Sequence, residues 1–167
     1  MATQPGVLHD ENRAKRDRLI ELLTTAYWME IETVMNYLAN SINPDGIRAR
    51  EIISSLAQDI QEELNHAQLF GHRIKELYGI VPGSLDFSAE QKYLQPPSRQ
   101  TDITHVIKGV IEAENGAIEH YNQVIQFCDG FDYVTQDMVI DILREEEGHK
   151  RLFEGFLREY EAEATAG

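Results

Sequence analysis

Glu146 and His149, in the run Arg144-Glu145-Glu146-Glu147-Gly148-His149, form a Glu-x-x-His pair late in an apolar helical stretch. A second such pair, Glu63 and His66, sits in a separate helical stretch upstream. In a helix, residues i and i+3 lie on one face, so one carboxylate and one imidazole can grip the same ion. Two further acids fall inside apolar stripes. Glu30 lies between Ala26 and Val34, and Glu114 lies between Val110 and Tyr121. A buried carboxylate without a partner is costly. Four inward glutamates and two histidines therefore point to a pair of metal ions bridged by carboxylates, the ligand set that four-helix bundles build from two Glu-x-x-His helices and two glutamate helices. Two divalent cations would neutralise the four carboxylates. Mixed oxygen and imidazole ligation suits iron, manganese or zinc, and the ligand types alone do not choose among them.

Helices must bring these six residues together. The 3-to-4-residue spacing of apolar positions predicts helices over 10–41, 47–78, 102–128 and 135–163. Residues 1–9 read as a mobile tail, and the chain after 163 should fray. Asp10 or Asn12 should cap the first helix, Thr101 or Asp102 the third, and Thr135 the fourth. Gly79 should end the second. The Asn43-Pro44-Asp45-Gly46 turn folds the second helix back on the first. Residues 79–101, broken by Gly79, Pro82, Gly83, Pro96 and Pro97, form a long connection with room for a helical turn near Ser88–Tyr93. Extended, it reaches roughly 75 Å. The second helix is about 48 Å long. The connection can thus cross the bundle and start the third helix at the other end, giving an all-α, up-down-down-up four-helix bundle.

The register fits. Glu114 and Glu146 lie about 17 and about 15 residues from the turn near residue 131, so at 1.5 Å per residue they are level. Glu30 and Glu63 lie about 14 and about 19 residues from the turn near residue 44. Tyr37 and Tyr121 stand two turns from Glu30 and Glu114 on the same faces; they pack in the core, with hydroxyls placed to bond ligand carboxylates or serve in redox chemistry. Glu32, Glu112, Glu119, Glu145 and Glu147 fall outside the stripes. Gly148 offers close approach to a neighbouring helix. His9, His72, His105 and His120 lack the ligand context and read as surface or peripheral. Trp28 reads as packing or a subunit contact.

Composition narrows the rest. The 167 residues suit one domain, and the net charge of −14, from 29 acidic against 15 basic residues, opposes nucleic-acid binding and favours cations. No apolar run is long enough for a membrane span. The charged start lacks a signal peptide, so the expected location is cytoplasmic. The single cysteine, Cys128, forms neither an internal disulfide nor a zinc pattern and reads as a small apolar residue near a helix end.

The chain resembles the ferritin-like superfamily, nearest to bacterioferritins and Dps-like ferritins. Residues 132–149 are similar to the fourth helix of bacterioferritins. Glu30-Ile-Glu-Thr-Val-Met-Asn-Tyr37 is similar to their first-helix motif, and Ala113-Glu114-Asn-Gly-Ala-Ile118 to the third-helix motif. The resemblance covers roughly residues 12–160. It implies a di-iron ferroxidase centre at Glu30, Glu63, His66, Glu114, Glu146 and His149. It also implies Fe(II) oxidation by dioxygen or peroxide and mineral storage in a hollow homo-oligomer. Leu64 stands where bacterioferritins carry their haem-ligating methionine, so haem is not expected. The 18 residues after His149 leave no room for the fifth helix of 24-subunit ferritins, which favours a 12-subunit Dps-like shell. The Dps centre lies between subunits, whereas here one bundle supplies every ligand. Cys128 departs from relatives with a cysteine pair near the metals, and no lysine-rich tail suggests DNA binding. Two other readings compete. One is a di-metal oxidase or peroxidase without storage, manganese catalase-like or rubrerythrin-like. The other is a non-catalytic helical interaction module.

Overall fold

The computed structural model describes residues 6–165. They form four long helices: α1 (Arg13–Ile42), α2 (Ala49–Glu76), α3 (Ile103–Cys128) and α4 (Tyr133–Thr165). Single 3-10 turns occur at Asp10–Asn12, Ser84–Asp86 and Lys92–Leu94. α1 packs along α2 and α3 along α4 as antiparallel hairpins. α1 also packs against α3, and α2 meets both α3 and α4. This is the expected up-down-down-up four-helix bundle, and no helix follows α4 among the described residues. None of the helices is long and apolar enough to cross a membrane.

The core has two apolar halves. Leu23, Phe70, Ile74, Tyr121, Val139 and their neighbours fill one. Tyr37, Ile52, Leu56, Val110, Phe153 and their neighbours fill the other. On each helix the apolar stripe is broken between the halves by one glutamate. Glu30 follows Ala26, Glu63 follows Leu56, Glu114 follows Val110 and Glu146 follows Ile142. The acids thus meet in a layer sealed above and below by close-packed apolar side chains.

Several local expectations are revised. Residues 6–9 are tied to α1: Asn12 Nδ2 donates to the Gly6 carbonyl at 3.0 Å, and Arg16 Nη1 to the Val7 carbonyl at 3.1 Å. Residues 1–5 lie outside the described residues. Asn12 sits at the α1 N-cap, but its side chain makes no cap bond. The residue that turns the chain out of α2 is Tyr78, at φ 68°, not Gly79. Gly79 N–H donates to the Ile74 carbonyl at 2.9 Å and Tyr78 N–H to the Lys75 carbonyl at 3.0 Å, which closes the helix end. Gly79 is required by proximity instead: a Cβ there would lie 2.8 Å from Ile74 Cγ2 and 3.0 Å from Ile20 Cγ2.

Asp102 caps α3 through the His105 N–H at 3.2 Å. α4 starts two residues before Thr135, and Asp132 caps it by accepting from the N–H groups of Val134 and Thr135, each at 3.2 Å. Arg73 of α2 holds both oxygens of Asp132 at 2.9 Å and donates to Thr135 Oγ1 at 2.7 Å. A Cβ at Gly148 would meet nothing of a neighbouring helix within 4 Å, so the glycine serves no close approach among the described residues.

The crossover connection is strapped down by a residue the stripe excluded. Glu32 is buried, and its carboxylate accepts the backbone N–H groups of Glu90 and Gln91 at 2.9 and 2.8 Å. Gln91 Nε2 donates to Thr33 Oγ1 at 2.8 Å, and Asn40 Nδ2 to the Leu94 carbonyl at 2.8 Å. On α3, Gly109 clears the strand of loop above it, where a Cβ would lie 2.7 Å from the Tyr93 carbonyl oxygen. One helical turn falls at Ser84–Asp86, before the expected stretch, and the other at Lys92–Leu94, overlapping its end.

Candidate metal centre

One glutamate from each helix, and one histidine from each of α2 and α4, converge in the polar layer. Glu30, Glu63, Glu114 and Glu146 are 1–2% exposed and His66 is 2% exposed. The His149 side chain, at 11%, is the most open of the six. Potential ligand atoms fall into two groups within 4.8 Å: Glu30, Glu63, His66 and Glu146 in one, and Glu63, Glu114, Glu146 and His149 in the other. Glu63 and Glu146 belong to both, so each is placed to bridge.

Both imidazoles turn Nδ1 inward. His66 Nδ1 lies 3.0 Å from Glu146 Oε1 and 3.4 Å from Glu63 Oε2. His149 Nδ1 lies 3.5 Å from Glu63 Oε1 and 3.6 Å from Glu146 Oε2. None of these approaches has hydrogen-bond alignment. His66 Nδ1, His149 Nδ1, Glu63 Oε1 and Glu146 Oε1 are all buried without a hydrogen-bond partner. Native interiors rarely leave such atoms orphaned. Four in one cluster, of the types that bind mixed O/N metals, fit a pair of metal ions.

The outer nitrogens are held by two acids, Glu145, which the helical stripe left as a flanking residue, and Glu62, which sequence reasoning did not single out. His66 Nε2 lies 2.6 Å from Glu145 Oε2, and His149 Nε2 lies 2.9 Å from Glu62 Oε2. The contacts cross between helices: α4 steadies the histidine of α2, and α2 that of α4. A carboxylate on the outer nitrogen fixes the ring and directs the inner lone pair into the cluster. A signal was present, because each Glu-x-x-His is preceded by another glutamate, giving Glu-Glu-x-x-His twice.

The tyrosines obey the same two-fold logic. Tyr37 Oη donates to Glu114 Oε1 at 2.6 Å, and Tyr121 Oη donates to Glu30 Oε1. Each tyrosine lies seven residues after the glutamate of its own helix and bonds the glutamate of the other. The remaining histidines lie apart. His9 and His72 are exposed, and His105 and His120 contact the carbonyls of Gln95 and Leu22. Trp28 packs against Tyr27 and Phe87. Cys128 is fully buried in the core, and burial pushes its thiol up to about 12.

Without metal, protons supply the missing positive charge. Burial and the neighbouring carboxylates raise Glu30 and Glu114 well above the usual carboxylate range. Burial opposes charge on Glu146, but the two histidines overcome it and hold that carboxyl at about 2. Burial likewise opposes charge on the histidines, yet Glu146 and Glu63 beside them raise His66 to about 10 and His149 to about 12. A cation entering this layer would have to displace those protons.

A profile described as a ferritin-like domain matches residues 20–162. The DNA protection during starvation protein of Pyrococcus furiosus is 31% identical over 147 residues, which span 84% of this chain and 77% of that protein. The bacterioferritin of Desulfovibrio desulfuricans is 25% identical over 141 residues, 84% of this chain and 74% of that one. Among solved structures, a dodecameric thioferritin, the bacterioferritin-related protein from Bacteroides fragilis, superposes with a TM-score of 0.76 at 24% identity, covering 90% of both chains. The crystal structure of the Desulfovibrio desulfuricans bacterioferritin, with its diiron site, superposes with a TM-score of 0.77 at 22% identity, over 90% of this chain and 84% of that one.

Proposed function

We propose a ferroxidase and iron-storage function for this chain, which belongs to the ferritin-like domain family. Glu30, Glu63, His66, Glu114, Glu146 and His149 hold two metal ions, with Glu63 and Glu146 shared between them. Iron is the expected metal, with manganese and zinc served by the same ligand types. Two Fe(II) ions bound there would give up one electron each, and the two electrons would reduce dioxygen with two protons to hydrogen peroxide, or hydrogen peroxide with two protons to two waters. The chain's own part is to exclude water with the two apolar core halves, to fix both imidazoles through Glu62 and Glu145, and to hold Glu114 and Glu30 through Tyr37 and Tyr121.

The observation that carries this reading is the set of four buried, partnerless ligand atoms at one level of the bundle. The test is aerobic Fe(II) addition with ultraviolet detection of ferric product. Wild type should oxidise rapidly and Glu63→Ala slowly; equal rates would sink the assignment.

Ferric product would be stored in a homo-oligomeric shell and iron toxicity thereby limited. Twelve subunits are favoured over 24, an arrangement supported by the dodecameric state named for the Bacteroides fragilis neighbour. Leu64 offers no ligand atom to haem iron. The excess of acids opposes nucleic-acid binding, and a cytoplasmic location remains part of the proposal. Native mass after iron loading checks the storage half: a monomer or dimer retaining only its bound pair would favour a non-storage di-metal oxidase or peroxidase.

A further inference from the structure

Gly116 sits inside α3, where glycine is a poor helix former. Its backbone is plain helix, and no close neighbour demands it: a Cβ there would lie 3.8 Å from Met29 Cε and 3.8 Å from Tyr93 Oη, an ordinary contact. Gly109, two turns earlier on the same face, differs, because a Cβ there would run into the Tyr93 carbonyl. Met29 and Tyr93 both line a cavity of about 270 Å³ between α1 and the crossover connection. Asp86 and Glu90 stand at its exposed rim, and Trp28 and Glu32 form its α1 wall. The loop above is pinned. Glu32 accepts the N–H groups of Glu90 and Gln91, and Gln91 Nε2 donates to the Met29 carbonyl at 3.2 Å. The inner end of the cavity lies at the level of the ligands: Met29 precedes Glu30 on α1, and Gly116 follows Glu114 on α3 by two residues, a rise of about 3 Å.

We propose that this cavity admits the small uncharged oxidant, dioxygen or hydrogen peroxide, to the metal pair from the α1–α3 side, past the Met29 thioether and across the space that Gly116 leaves clear; the inference rests on the di-metal ferroxidase reading above. The lining selects for lack of charge. Between the rim acids and the buried ligands stand an indole, a thioether, a phenol and a glycine, and the Glu32 carboxylate is already held by backbone N–H groups. None of the candidate metal-ligating groups among the described residues includes a residue of this cavity. A cation would shed its water here with nothing to replace it, which is costly. An anion would meet Asp86, Glu90 and Glu32 on the way in. An uncharged molecule of two heavy atoms meets neither obstacle. The Met29 side chain is unbranched and flexible, so it turns aside at little cost while the loop behind it stays fixed.

Nitric oxide, an uncharged diatomic, reports access without turnover. Protein loaded anaerobically with Fe(II) is mixed with it, and association is followed by stopped-flow visible absorbance. Gly116→Val fills the space beside Met29, and Gly116→Ala fills part of it at van der Waals distance. Gly155→Val puts the same side chain on α4, where, among the described residues, a Cβ comes within 4 Å only of the ends of Arg151 and Arg158. Association should slow about tenfold in Gly116→Val, less in Gly116→Ala and less than about twofold in Gly155→Val, because a blocked approach lowers the on-rate. Met29→Ala should be at least as fast as wild type. All four variants should bind two Co(II) per chain as tightly as wild type, and Gly116→Ala should melt at the wild-type temperature or above. Fe(II) oxidation at limiting dioxygen and at limiting peroxide then identifies the oxidant: the one whose rate falls in step with nitric oxide uses the cavity. Association in both Gly116 variants as fast as in wild type would overturn the route. So would equal slowing in Gly155→Val, weakened Co(II) binding in Gly116→Ala, or unchanged oxidation with both oxidants. Wild type that binds no Co(II) would instead overturn the di-metal reading itself.

Discussion

Tyr37 on α1 donates its hydroxyl hydrogen to Glu114 on α3 across the centre, and Tyr121 on α3 donates back to Glu30 on α1. Each bond gives one oxygen of a glutamate a partner and leaves the rest of the carboxylate for the cluster. Tyr37→Phe should destabilise the metal-free protein by about 1–3 kcal/mol, the cost of an unsatisfied buried acceptor. Chemical denaturation measures it; a loss below about 0.5 kcal/mol would mean that the bond does not hold Glu114.

Glu145 is half-exposed, yet it should matter through His66. Glu145→Ala should weaken Co(II) binding about 10- to 100-fold while barely changing the melting temperature of the metal-free protein. Glu145→Asp should restore part of the affinity. An affinity equal to wild type would show that the ring of His66 needs no outer support.

The protonation of the cluster sets a pH dependence. His66 and His149 are raised from about 6.5, so their contribution to stability is complete below about pH 6.5 and is lost as pH rises toward about 10 and about 12. Glu30 and Glu114, raised by burial, work in the same direction: the folded chain keeps protons that the unfolded chain releases. The metal-free melting temperature should therefore fall between about pH 6.5 and about pH 10. With two Co(II) bound, the protons are already gone and the decline should disappear. A metal-free protein that grows more stable over this range would contradict the assignment.

Asp132 joins two jobs, capping α4 and pairing with Arg73 across the bundle. Asp132→Ala should cost about 3 kcal/mol, because it removes a cap and strips a buried guanidinium of a bidentate partner. Thermal unfolding measures it. A loss under about 1 kcal/mol would show that Glu76, 2.8 Å from Arg73, suffices alone.

The bundle and its six inward carboxylates and imidazoles were legible in the sequence because both depend on helical period. Glu30, Glu63, Glu114 and Glu146 interrupt apolar stripes, and an interruption at a similar distance from each turn is a one-dimensional signal. Glu32, Glu62 and Glu145 were not legible in this way. Their roles are set by what lies across from them: the N–H groups of a crossing loop in one case, and the outer nitrogen of a histidine on another helix in the others. Stripe analysis assigns such residues to solvent. The repeated Glu-Glu-x-x-His spelling held the missing information for two of them, but only the crossed geometry gives it meaning. Tyr78 in place of Gly79 at the end of α2 has a similar cause. The glycine was needed for contact with Ile74 and Ile20, so the left-handed turn fell to its neighbour.

The claim on which the rest depends is that six side chains hold two metals between them. Crystals of iron-loaded protein, measured on both sides of the iron absorption edge, locate iron directly. The account predicts two anomalous peaks per chain about 3.5–4 Å apart, bridged by Glu63 and Glu146, with His66 Nδ1 on one and His149 Nδ1 on the other. Glu63→Ala should lose at least one of them. An absence of peaks in this layer, or iron bound only at surface carboxylates, would contradict it.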